Sequence, residues 1–108
     1  MADPRVAGYA EALFAVAAAE GDSSVVEDEL FRFAQALRSD DDLGSTLADT
    51  GLPLARRLQV IEDLLGSRAS AVTTALVSMV VGAGRAAELP AIVDAMVERG
   101  AASRNKTV

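Results

Sequence analysis

Apolar residues recur along most of this chain every three or four positions, the period of an α-helix that buries one face. Val6, Tyr9, Ala10, Leu13, Val16 and Ala17 form the first stripe. Asp3-Pro4 opens it, with an N-cap carboxylate ahead of a proline at the first helical position, and Gly21 closes it. Val26, Leu30, Phe33, Ala34 and Leu37 form a second stripe starting at Asp22–Ser24, where Ser24 and Glu27 fit a capping box. Glu27, Asp28, Arg32 and Arg38 are expected to face water on that helix. A short third helix carries Leu43 and Leu47 and ends before Gly51. A fourth, after Leu52-Pro53, carries Leu54, Leu58, Ile61 and Leu65 and stops at Gly66. The last, with Leu89, Ile92, Val93, Met96 and Val97, tolerates Pro90 only in its first turn and is expected to stop at Gly100. The tail AASRNKTV has no apolar period and is expected to be loose.

One stretch breaks the amphipathic rule. Ala69–Ala83, ASAVTTALVSMVVGA, carries no charge at all. It falls short of the roughly 20 residues a spanning helix needs and exceeds the roughly 8 of a strand. It therefore reads as a fifth helix, apolar on nearly every side, in the middle of a bundle, with the option of lending one face to a partner. The first helix complements it, because Ala at 7, 10, 12, 15, 17, 18 and 19 leaves little side-chain bulk on much of its surface. The predicted architecture is all-α: a six-helix bundle, one domain over residues 1–100, with 101–108 as a tail or linker.

Composition agrees. In 108 residues, alanine is abundant, aromatics make up 4%, and Gly and Pro sit mostly between the periodic segments. A chain of this length supports one core that buries about two-thirds of the unfolded surface. There is no Cys and no His, which removes disulfides, thiolates, imidazole bases and the usual zinc and haem ligands. No metal and no cofactor are expected. The net charge of −6 argues against a nucleic-acid surface. The charge is uneven: residues 1–50 hold eleven acids and three Arg, whereas 51–108 hold five acids and seven bases. That asymmetry reads first as a solvated acidic face and second as a way to steer a basic partner. With neither a leader nor a spanning segment legible, a cytoplasmic or peripheral location is expected.

Catalytic constellations are missing. Gly82-Ala83-Gly84 lacks the third glycine and the preceding strand of a phosphate loop. Asp40-Asp41-Asp42 lacks the spacing of a calcium loop and suits the first turn of a helix instead. No Ser, Thr or Tyr has an imidazole or thiolate to activate it. No catalytic residue is expected, which leaves a binding reading: the alanine-rich first helix and the apolar fifth could form a shallow groove for a partner's amphipathic helix.

Three segments carry a resemblance. Tyr9-Ala10-Glu11-Ala12-Leu13-Phe14-Ala15-Val16-Ala17, then Leu52-Pro53 with Arg56-Arg57-Leu58, then Gly84-Arg85 with Leu89-Pro90, Ile92 and Met96 are similar in order and spacing to motifs of the delta-subunit family of F-type ATP synthases, called the oligomycin-sensitivity-conferring protein in mitochondria. The resemblance implies a six-helix N-terminal domain without an active site. It implies a stator role: binding the N-terminal helix of an alpha subunit and holding the catalytic head against rotation while proton flow drives ATP synthesis. Carried over by position, the groove between the first and fifth helices would use Tyr9, Leu13, Ala17, Leu76, Met79, Val80 and Ala83. A C-terminal domain, not legible in these residues, would grip the b subunits, and contact with the cytoplasmic face of the membrane would be indirect, through the complex. Some actinobacterial members are fused behind a b-like segment. The alternative is an unrelated helical adaptor that binds a different amphipathic helix.

Overall fold

A computed structural model describes residues 3–105, with side chains described as far as residue 102. Asp3 caps α1 (Pro4–Glu20) as its spacing implies: the carboxylate accepts the Arg5 amide at 2.8 Å and Pro4 occupies the first turn. The second helix, α2 (Ser23–Ser39), starts differently from expectation. Its cap is Asp22, which accepts from the amides of Ser24 and Val25, and Ser24 lies inside the helix. Asp40 caps α3 (Asp41–Ala48), whose first turn holds Asp41 and Asp42 against the positive end of the helix dipole. Then follow α4 (Leu54–Leu65) and α5 (Ala71–Gly82). A 3₁₀ turn at Ala86–Glu88 leads into α6 (Leu89–Asn105). The fold among the described residues is all-α, as the periodicity requires.

Two expectations are corrected at α6. Gly100 does not end this helix, which continues to Asn105, so residues 101–105 are helical; Lys106 to Val108 lie outside the described residues. Gly100 is buried instead, where α6 faces α2: a Cβ there would sit 2.4 Å from the Glu27 carboxylate. Glu27 is itself buried rather than solvated. A side chain there would have to displace the end of the Glu27 side chain, so this glycine marks a helix contact and not a stop.

The core runs through the face shared by α1, α2, α5 and α6. Leu13, Leu30, Ile92, Val93 and Met96 are fully buried in it, with Leu47 and Ile61 closing it from α3 and α4. The long helix α6 packs along both α1 and α2. Arg99 closes its border with α1 by bonding Glu11 at 2.8 Å and lying 5.4 Å from the centroid of the Phe14 ring. The apolar α5 is thus not the all-round centre of the bundle. It packs on α4, α2 and α1 and leaves its remaining face open.

Candidate partner-binding seam

Two contacts fix how α1 and α5 lie together. Near one end, a Cβ on Gly21 would meet Val72 at 3.4 Å, so the end of α1 meets the start of α5. At the other, Tyr9 lies within electrostatic reach of Arg85, just beyond the end of α5. The two helices therefore run antiparallel, and this register brings Val16 opposite the stretch around Leu76–Met79 and Ala12 opposite Gly82–Ala83.

Positions 5, 9, 12, 16 and 20 form one stripe of α1 beside its buried positions 6, 10, 13 and 17, because 3.6 residues make a turn. On α5, positions 72, 75, 79 and 83 follow the same rule beside the buried Thr73, Leu76, Val77, Val80 and Val81. Along the two stripes lie Ala12 and Ala83, both exposed, with Val16 at 37% and Met79 at 46% relative exposure, whereas the exposed Ala75 lines a separate cleft with Thr74, Ser78, Glu62 and Gly66. Tyr9 and Val72 are half-buried. A shallow depression of about 340 Å³ lies on α1 itself, between Arg5, Gly8, Tyr9 and Ala12. The middle of the seam is apolar, small at its rims and adaptable at Met79.

Of the residues singled out from sequence, Tyr9, Met79 and Ala83 reach this surface. Leu13, Ala17 and Val80 are fully buried, and Leu76 is 3% exposed, so these four support the seam from beneath and cannot touch a docked chain without rearrangement. The sequence groups Val16 with the apolar stripe of α1, yet it is 37% exposed, and Ala12 belongs to the alanines that leave little bulk on that helix. Their signal was present in the sequence: each stands one helical step outside the buried stripe of its helix.

Two polar arrangements hold the ends of α5. At its start, the Glu29 carboxylate on α2 accepts from the Ser70 amide, the Ser70 hydroxyl and the Thr73 hydroxyl, the last at 2.7 Å. Burial pushes the Glu29 carboxyl up, but the bonds from Thr73 and Ser70, together with Arg32, outweigh it and hold the carboxyl below its ordinary value. At its end, Gly84 takes a positive φ of 78°, which reverses the chain, and the Arg85 guanidinium bonds the Glu88 carboxylate at 3.1 Å. Among the described residues no cluster of acids could hold a metal ion, and no helix is long and apolar enough to cross a membrane.

Fold and seam together define a class: a small helical bundle that presents an apolar inter-helix seam and assembles no reactive side chains around it. The family described as ATP synthase delta (OSCP) subunit matches residues 6–108. A protein of Salinispora tropica named ATP synthase subunit delta is 35% identical over 97 residues, 90% of this chain and 35% of that protein. One of Nocardia farcinica with the same name is 35% identical over the full 108 residues, 40% of its own length. A protein of Mycobacterium sp. (strain KMS) named ATP synthase subunit b-delta is 33% identical over 97 residues, 90% of this chain and 22% of that protein. No solved structure matches. The chain belongs to the ATP synthase delta (OSCP) subunit family, and it spans about a third of the length of the delta-named relatives it matches.

Proposed function

We propose that this domain binds one amphipathic helix, the N-terminal helix of an alpha subunit, in the seam between α1 and α5, and so acts as a stator element of an F-type ATP synthase. The observation that carries this reading is the exposure of Val16 and Met79 on adjoining helices, with alanines along the rims. An isolated exposed Val or Met is ordinary on a protein surface; a continuous apolar strip between two packed helices is not. Alanine rims let a partner helix approach closely, and its i, i+3, i+4 and i+7 side chains would fill the strip. The family assignment supports the choice of an alpha subunit as the helix donor.

In this reading the domain does no chemistry. It anchors the catalytic head, and the remaining length typical of the family holds the b subunits, consistent with relatives that carry b and delta in one name. The anchored head resists the torque of the rotor while proton flow drives synthesis. The domain would sit on the cytoplasmic face of the membrane and touch it only through the complex.

Calorimetric titration with a peptide of the first ~25 residues of the alpha subunit, long enough to span a seam of about 30 Å as a helix, tests the reading. One-to-one binding with a negative heat-capacity change is the expected result. A folded domain that takes up no peptide overturns it.

A further inference from the structure

A second opening shares no residue with the seam. α4 packs chiefly on α5 and α3, and between α2, the start of α3 and the end of α4 it leaves a cleft of about 320 Å³. That is the lower end of the volumes small ligands occupy, roughly 300–1,000 Å³. Its lining is largely apolar: Phe33 is 4% exposed, Leu43 and Leu65 are half-buried, and Leu64 is open at 37%. One leucine at a surface is ordinary, but four large apolar side chains around one hollow make a place for an apolar ligand. The polar side of the cleft is cationic, on a chain whose net charge is −6. Arg32 and Arg68 line it, both exposed, and Glu29 is the sole acid among the residues described there. Glu29 bonds neither arginine, because its carboxylate accepts the Ser70 amide and the hydroxyls of Ser70 and Thr73. Arg32 bonds Asp28 at 3.1 Å, an exposed pair of the kind that contributes little. Arg68 stands outside every ion pair found among the described residues. The end of α4 offers it no free acceptor at Leu65, whose carbonyl already accepts the amides of Arg68 and Ala69.

We propose that this cleft binds a medium-chain fatty-acid anion, its alkyl chain against Phe33, Leu43, Leu64 and Leu65 and its carboxylate on the Arg68 guanidinium, with Arg32 beside it. A planar guanidinium takes a carboxylate through two parallel bonds, which a neutral head group cannot match. A docking helix engages an apolar strip several turns long, whereas this cleft is one short hollow and suits a single flexible chain. The site is independent of the helix-binding seam, and neither needs the other.

Decanoate, kept below its micelle concentration, is the probe, and decanol is its neutral control. Amide shifts of the ¹⁵N-labelled chain report where each binds. Decanoate is expected to give saturable shifts at Phe33, Leu43, Leu64 and Arg68 and none at Val16 or Met79. It should bind about fivefold to tenfold more tightly than decanol at low salt. Arg68→Gln should remove that preference and leave both the melting temperature and the decanol affinity unchanged, because the side chain is exposed. Leu64→Gln should weaken both ligands alike. Equal binding of decanoate and decanol, a preference that survives Arg68→Gln, or shifts spread over the seam as well overturns the proposal. So does the absence of saturable shifts, including the case in which an acidic amphipathic peptide moves the same amides and marks the cleft as a protein contact.

Discussion

The fifth and sixth helices differ in a way their sequences alone reverse. α5 carries no charged residue, whereas α6 has Asp94, Glu98 and Arg99 among its described side chains. Both bury an apolar stripe, Leu89, Ile92, Val93 and Met96 in α6 and Val77, Val80 and Val81 in α5, but α5 also leaves Met79, Ala75 and Gly82 at the surface. The amphipathic α6 gives a charged face to water; α5 has only the half-buried Thr74 and Ser78, which line a cleft with Glu62. Apolar content beyond what the core absorbs marks a surface, and on α5 that surface adjoins an equally small-rimmed α1.

The largest expected effects test the buried side of this contrast. Leu76→Asp would bury an unpaired carboxylate beneath the seam and should cost several kcal/mol, about 3 or more, with loss of cooperative urea unfolding. Ile92→Ala in α6 should cost about 2–5 kcal/mol by the cavity it leaves. A shift below about 1 kcal/mol in either variant would mean that the site relaxes as a surface does.

A pair of tryptophan substitutions separates core from seam on one helix. Ala17 is fully buried and Ala12 is exposed. Ala17→Trp should destabilise by about 3 kcal/mol through overpacking. Ala12→Trp should shift stability by about 0.5 kcal/mol or less, yet weaken the helical peptide more than tenfold in the calorimeter. Equal destabilisation by both would place the α1 rim in the core and erase the contrast.

The start of α5 gives a smaller, pH-dependent effect. Glu29→Gln should cost about 1 kcal/mol near neutral pH, because the charge strengthens the bonds from Ser70 and Thr73. The carboxyl is depressed in the fold, so its contribution is complete above the unfolded value and is lost as pH falls through the folded value. Denaturation curves of the two proteins should therefore converge in acid and separate at neutral pH; a constant gap would mean that shape alone matters. Smallest of all, Arg38→Ala removes the exposed bond to Asp94 between α2 and α6 and should change urea stability by less than about 1 kcal/mol.

Much of the fold was legible because helix punctuation is local. Asp3-Pro4, Asp40 and Pro90 acted where their spacing put them. Gly100 and Glu27 misled for a shared reason: their roles are set by each other across two helices, and one-dimensional pattern reads a glycine as a stop and a glutamate as solvated. The site was half legible. Apolar period located the two helices, but α5 carries no charge to mark its outer face, so the buried Leu76 and Val80 could not be told from the exposed Met79 until α4, α2 and α1 covered one side of it.

The most direct test of the central claim is an amide chemical-shift titration of the ¹⁵N-labelled domain with the alpha-subunit N-terminal peptide. Saturable shifts concentrated on Ala12, Val16, Met79 and Ala83, with the cleft around Phe33 and Leu64 unmoved, are the predicted result. Shifts centred on that cleft, or none from a folded domain at saturating peptide, would contradict it.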